Sequence, residues 1–340
     1  MNIYFYPNVL LKKSTTANPF ARNFIEYLSC EDVCITNKPG AKSYNNLHDM
    51  VEHHSDTDVY ILNWIEDLPY LQLGFIQSII FALFFYAQKF RGKKFVWVYH
   101  NLDSHKGGKI GGKQLRNILI KGCDMFITLS QQAHDTLSEK SNKKVLFLNH
   151  PINPDLLKIR DITIDDTCKK SPQYDILIWG IITQYKGIIE FLEFIYKNGF
   201  ESRYKILIIG KCKDKNYESQ IFNLCNDNIK FENRRVDFPE LKEKIANSKI
   251  VLFPYVGESI SSSGALIDTI TLNGRSVGSH KGAFIDLEKR KVCSTYKNYE
   301  DIIDILSNGV NIKHSDIDSF IADNSWRSFA KSVIKELKKL

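Results

Sequence analysis

Short apolar runs rich in β-branched residues alternate with segments that repeat at helical spacing along almost the whole chain, and this alternation starts twice. In the first half it predicts strands at Ile3–Tyr6, Val33–Thr36, Val59–Asn63, Phe95–Tyr99, Met125–Leu129 and Val145–Leu148. Predicted helices fall between them, near Pro19–Leu28, Leu73–Phe90, Gly112–Lys121 and Gln131–Glu139. The pattern lapses in a polar stretch, Asn153 to Gln173, and then resumes. The second series predicts strands at Asp175–Trp179, Lys205–Ile209, Ile229–Phe231 and Ile250–Phe253, with helices at Ile188–Lys197, Tyr217–Cys225 and Pro239–Ala246. Continuously apolar strands are buried on both faces, which requires parallel sheets covered by helices. The expected fold class is therefore α/β, with two doubly wound Rossmann-like domains, residues 1–152 and 174–315, joined by a linker at 153–173. A helical segment at 316–340, with Trp326 and Phe329 on its apolar face, is expected to pack back towards the N-terminal domain. Ligands of such sheets lie beyond the carboxyl ends of the strands, so two sheets imply a central cleft between them.

Composition narrows the functional classes. A hydrophobic content of 43% and a charged content of 25% belong to a globular chain with a real core. The net charge of +7 comes from dispersed basic residues, which suits an anionic substrate or lipid surface and does not point to nucleic acid. Seven scattered cysteines, with no C-x-x-C pair, read as reduced thiols and not as a disulfide frame or zinc site. Met1-Asn2 runs directly into a predicted strand with no signal-peptide core, so a cytoplasmic location is expected.

The chemistry-bearing stretch is Ile250 to Leu272, where a strand leads through Gly257, the serines 259, 261, 262 and 263, and Gly264 into a helix. Such a turn presents unpaired backbone N–H groups at a helix start, which is an anion site or simply a capped helix. Upstream, Gly180 to Gly187 joins a strand to a helix through Lys186, whose ammonium could neutralise a phosphate, and another strand ends in Gly210. His100 ends the strand Phe95–Tyr99.

Taken together these stretches resemble the retaining family 4 of the GT-B glycosyltransferases, the glycosyltransferases group 1. The matching residues are Gly180-x4-Tyr185-Lys186-Gly187-Ile188, Leu207-Ile-Ile-Gly210, Ile250 to Tyr255, Ser263-Gly264-Ala265-Leu266 and Gly274 to Leu287. Trp97 to His105 and Asn149-His150-Pro151 match more loosely. The resemblance implies transfer of a hexosyl group from a UDP- or GDP-sugar donor to a saccharide acceptor, lipid-linked in many relatives, without metal or cofactor. It implies that Lys186 and the amides of Ser262, Ser263 and Gly264 hold the diphosphate, with Gly180 and Gly210 letting the donor approach the backbone. It further implies that Asp268 binds the ribose and that His100 faces the sugar. Two positions depart from the pattern. Ile181 stands where an arginine is usual, with Lys211, Lys213, Arg234, Arg235 or Arg275 as substitutes, and the glutamate pair is reduced to Ile260 and Asp268. These departures keep two alternatives open: a weakly active or inactive sugar-nucleotide-binding scaffold, and a sugar-nucleotide epimerase of the same fold.

Other motifs carry less. Gly107-x4-Gly112-Lys113 approximates a P-loop, but Gln114 replaces the magnesium-binding hydroxyl residue. Asp103, His105 and the Lys106–Lys113 loop read first as a solvated cationic loop, with closure on an acceptor or its phosphate as the alternative. Leu71 to Phe90 is the most apolar segment and reads first as a buried crossover helix, with peripheral attachment to the inner membrane face as the alternative.

Overall fold

The computed structural model describes residues 1–9, 19–37, 46–100, 112–161, 172–257 and 262–340. Asp103, His105, the glycine-lysine loop up to residue 111, Ser259, Ile260, Ser261 and Cys168 lie outside the described residues. Two compact units divide the chain: Met1–Asn149 with Trp326–Leu340, and His150–Ser325.

The first unit runs β1 (Asn2–Tyr6), α1 (Pro19–Ser29), β2 (Cys34–Ile35), α2 (Asn46–Glu52), β3 (Val59–Asn63), α3 (Gly74–Phe90), β4 (Lys94–Tyr99), α4 (Gly112–Gly122), β5 (Met125–Thr128), α5 (Gln131–Lys140) and β6 (Lys144–Phe147). All strand pairs are parallel, in the order β2-β1-β3-β4-β5-β6. Side chains of β1, β3, β4 and β5 alternate between two cores, as a period-2 strand covered on both sides must. Tyr4, Tyr60 and Trp97 fill one, and Ile3, Phe5, Ile61 and Val98 fill the other.

The second unit runs α6 (Pro154–Arg160), β7 (Tyr174–Trp179), α7 (Ile188–Lys197), β8 (Ile206–Ile209), α8 (Lys215–Asn223), β9 (Ile229–Glu232), α9 (Phe238–Ala246), β10 (Ser248–Phe253), α10 (Gly264–Thr271), β11 (Ser276–Ser279), α11 (Ala283–Lys289), β12 (Ser294–Tyr296), α12 (Tyr299–Asn308) and α13 (His314–Asp323). Its sheet order is β12-β11-β10-β7-β8-β9, again all parallel. Chain order reverses between β7 and β10, and a doubly wound sheet opens its ligand crevice at such a switch point.

Three expectations about segment roles are corrected. The stretch read as linker from residue 153 begins with α6, because Asn153 caps the Asp155 amide, Pro154 suits a first helical turn, and Leu156 is wholly buried in the core of the second unit. The segment 316–340 is shared between the units. Helix α13 belongs to the second, while α14 (Trp326–Leu337) belongs to the first, packing Trp326 and Phe329 against Phe20 and Phe24 of α1. Helix α3 is only half a buried crossover. It sinks Phe81, Phe84, Phe85 and Gln88 into the first unit and turns Phe75, Ile76, Ile79, Ile80, Leu83, Tyr86 and Phe90 outward. Hydrophobicity alone could not separate the two faces, because both are apolar.

Candidate functional site

Gly180 follows β7, and Pro254-Tyr255 follows β10, so the switch point of the second sheet is walled by these two strand ends. Gly180 has φ of +108°, a conformation that glycine adopts at little cost. A Cβ placed on it would stand 2.8 Å from Lys186 Nζ and 3.5 Å from Ala265 Cβ, which fixes three elements around one point. Gly210, after β8, is closer still: its Cβ would lie 1.7 Å from the Gly180 carbonyl oxygen.

Lys186 lies in a 3-10 turn, Gln184–Lys186, just before α7. The next residue, Gly187, has φ of +62°, and a Cβ there would meet the Pro254 carbonyl oxygen at 2.1 Å, so the lysine-glycine pair is pressed against the end of β10. The Val256 amide donates to the Tyr185 carbonyl at 3.1 Å and ties the same two loops. Lys186 is 4% exposed. Its Nζ donates to the Trp179 carbonyl at 3.3 Å and stands 5.4 Å from the centre of the Tyr255 ring. Among the described residues no carboxylate pairs with it. Burial consequently pushes its pKa down, with the neighbouring Tyr185 opposing.

Helix α10 starts at the same place. The Ser263 side chain caps it by accepting from the Leu266 amide at 3.3 Å, and it shares a 3.0 Å hydrogen bond with the Tyr255 hydroxyl. Tyr255 is itself buried, which pushes its pKa up to about 12. Among the described residues, none of the N–H groups of Ser262, Ser263, Gly264 and Ala265 donates a hydrogen bond, and the buried Ser262 Oγ has no partner. A Cβ on Gly264 would meet nothing within 4 Å. Unpaired amides at a helix start, with the dipole behind them, hold anions.

The helix is anchored to the strand by a contact that no local sequence pattern signals. Trp179, the last residue of β7, donates from Nε1 to Thr269 Oγ1 at 2.8 Å, and that hydroxyl donates to the Ala265 carbonyl at 2.8 Å. Thr269→Val removes the acceptor while keeping the shape, leaving a buried indole N–H unpaired. We expect it to lower stability by about 1–3 kcal/mol in chemical denaturation.

Of the predicted site residues, the structure brings together Gly180, Lys186, Gly210, Ser263 and the start of α10 at Gly264. Asp268 lies one turn farther along α10. Its carboxylate has no hydrogen-bond or ion-pair partner among the described residues, and burial pushes its pKa up to about 7. His100 is in the first unit, at the end of β4. It is buried, its Nε2 hydrogen-bonds Asn63 Oδ1, and its ring stacks on Trp64 with centroids 4.8 Å apart. Trp64 reaches that position through a left-handed backbone, φ 54°, directly after β3. Of the candidate replacements for the arginine missing at Ile181, Arg234 is already held by Glu232 and Glu240. Lys211 follows Gly210 directly and is exposed, as is Ile181.

No protein-family model matches the sequence, and no curated protein does either. Solved structures do. HepE of Anabaena, crystallised with UDP and glucose, superposes over 100% of both chains at 12% identity and a TM-score of 0.69. A glycosyltransferase from Rickettsia africae covers 99% of this chain and 98% of its own at 12% identity and a TM-score of 0.63. AviGT4, a glycosyltransferase involved in avilamycin A biosynthesis, covers 99% and 97% at 11% identity and a TM-score of 0.59. The chain has the GT-B fold. The two parallel six-stranded sheets are the Rossmann-like halves of that GT-B architecture. Among the described residues, no GT-B helix of this chain is long and apolar enough to cross a membrane.

Proposed function

We propose that the protein is a retaining, family 4-like glycosyltransferase that moves a hexosyl group from a UDP- or GDP-sugar to a saccharide hydroxyl, without a metal. The observation that carries this reading is the meeting of a buried ammonium, Lys186, with the start of α10, where among the described residues no carboxylate pairs with the lysine and the amides have no partner. Cleavage of a sugar–phosphate bond leaves negative charge on the diphosphate, and prearranged donors stabilise that charge as it forms. Lys186 and the amides of Ser262, Ser263 and Gly264 take the diphosphate in this reading. Gly180 and Gly210 keep its approach clear, and Asp268 accepts the ribose hydroxyls. HepE, which shares the fold, was crystallised with UDP, and this favours the uridine nucleotide as donor. In the first unit His100, whose Nε2 hydrogen-bonds Asn63, is assigned to a sugar hydroxyl. Retention and a lipid-linked acceptor in cell-surface polysaccharide synthesis follow from the likeness to family 4 and are part of the proposal.

The exposed Ile181, where a cation is expected, favours one second reading: a sugar-nucleotide-binding scaffold with little turnover. A thermal-shift screen with UDP, GDP and their sugars, followed by hydrolysis and transfer assays, distinguishes the two. No stabilisation by any nucleotide sinks both readings, and stabilisation without turnover selects the scaffold.

Asp268 makes the donor site pH-sensitive. Its folded pKa is about 7 against an ordinary value of 3.8, so the folded state holds a proton that the unfolded state has released. Stability is therefore highest at low pH, falls between these values, and the full cost is present above pH 7. Ribose hydroxyls bind the ionised carboxylate best. A UDP-sugar, which does not itself titrate near neutrality, should bind about tenfold more tightly at pH 8 than at pH 6. In Asp268→Asn calorimetry should find a flat profile, and the melting-temperature advantage of the variant over the parent should grow from pH 5 to pH 7.

A further inference from the structure

Among the described residues, the outward face of α3 gathers more exposed large apolar side chains than any other element. At 100° per residue, Phe75, Ile76, Ile79, Leu83, Tyr86 and Phe90 fall within an arc of roughly 100°. Leu83 is 69% exposed and Phe90 94%. Exposed apolar residues scattered singly need no explanation, but a contiguous stripe along four turns of one helix marks a contact surface.

The surroundings say what covers it. From Leu71 to Lys94, and again along α4, the sequence has no acidic residue. Arg91 and Lys121 are exposed, and Lys113 is exposed on α4. Helix α4 lies directly beside α3 at both ends. A Cβ on Gly122 would come 2.5 Å from Phe85 Cε1, and one on Gly112 would come 3.2 Å from the hydroxyl of Tyr70, just before α3. Asp124 and Asp58 approach the end of α3 and are each taken up by a lysine, Lys89 and Lys93, while Arg91, Lys113 and Lys121 have no ion-pair partner among the described residues. A second copy of this chain docked on the same face would bring the same three cations, while these two carboxylates are already engaged by lysines. The helix, at 17 residues, spans about 25 Å, short of the roughly 30 Å of a hydrocarbon core.

We propose that α3 lies in the plane of an anionic lipid surface, with its outward apolar face in the acyl boundary and Arg91, Lys113 and Lys121 against the headgroups. This does not rest on the donor-site reading, which concerns the other unit. The test is co-sedimentation of the full chain with vesicles of phosphatidylcholine and phosphatidylglycerol in equal parts, beside vesicles of phosphatidylcholine alone. Binding should be confined to the anionic vesicles and should weaken with salt. Arg91→Ala should lower partition about fivefold and Arg91→Ala with Lys121→Ala about 25-fold, while Ile79→Glu with Leu83→Glu should lower it more than tenfold. These side chains face solvent, so melting temperature and the UDP-induced shift should be those of the parent, which separates lost docking from lost folding. Absence of sedimentation with anionic vesicles, or equal binding by the glutamate variant, overturns the proposal. So does a dimer in sedimentation velocity that Leu83→Glu dissolves, since the stripe would then belong to a second copy.

Discussion

Lys186→Met is expected to abolish the rise in melting temperature that UDP induces and to lower transfer from a UDP-sugar about 10²- to 10³-fold, while leaving the ligand-free protein more stable than the parent. The two effects have one cause. Among the described residues the buried ammonium has the Trp179 carbonyl and the face of Tyr255 as partners and no carboxylate, so the folded protein carries a desolvation cost until an anion arrives. Its pKa is lowered from 10.5 by that burial. The cost is therefore present at every pH below the folded value and disappears as pH rises past 10.5. Methionine keeps the apolar stem and removes the charge, so the stability gain should be greatest at low pH and fade as pH rises to 10.5. A variant that still shows the UDP shift would remove Lys186 from the donor site, and one that melts earlier than the parent at pH 7 would show the ammonium to be compensated.

The second large effect is structural. Gly210→Ala would place a methyl group 1.7 Å from the Gly180 carbonyl oxygen and 2.9 Å from its carbon, and both are backbone atoms that no rotamer change can move aside. The ends of β7 and β8 would have to part, at a cost of about 3 kcal/mol or more. For a unit of this size that lowers the melting temperature by roughly 6–12 °C. UDP binding should fall with it, because Gly180 positions the space beside Lys186. Gly257→Ala, where an added Cβ meets nothing within 4 Å, is the matched control and should be close to neutral. Equal melting temperatures for the two variants would show that the strand ends yield at little cost.

Both sheets were legible in the sequence because their central strands are unbroken apolar runs, and a parallel strand buried on two faces can hardly be written otherwise. Two strands on one flank of the second sheet were not. Ser276–Ser279 and Ser294–Tyr296 are short and polar, and they become strands only because β10 and then β11 offer a ladder to join. At the site, the glycines, Lys186 and the serine turn stood out as local punctuation. Trp179 and Thr269 did not, since their hydrogen bond joins residues 90 apart. Tyr255 could be listed as part of a strand end, but its place beneath the ammonium and against the Ser263 cap is a product of tertiary packing. The orientation of α3 was hidden for the opposite reason: a helix apolar all round gives no periodic clue to which side is covered.

The return of α14 to the first unit also orders events on the ribosome. Residues 150–325 form a body continuous in sequence, whereas the other half must wait with the Phe20 and Phe24 side of α1 uncovered. Nascent chains ordinarily fold from the front. Here the later-made half can finish first, and the earlier one is sealed only when Trp326 to Leu337 leaves the exit tunnel, so a chain truncated before Trp326 should aggregate while a fragment of residues 150–325 should stay in solution.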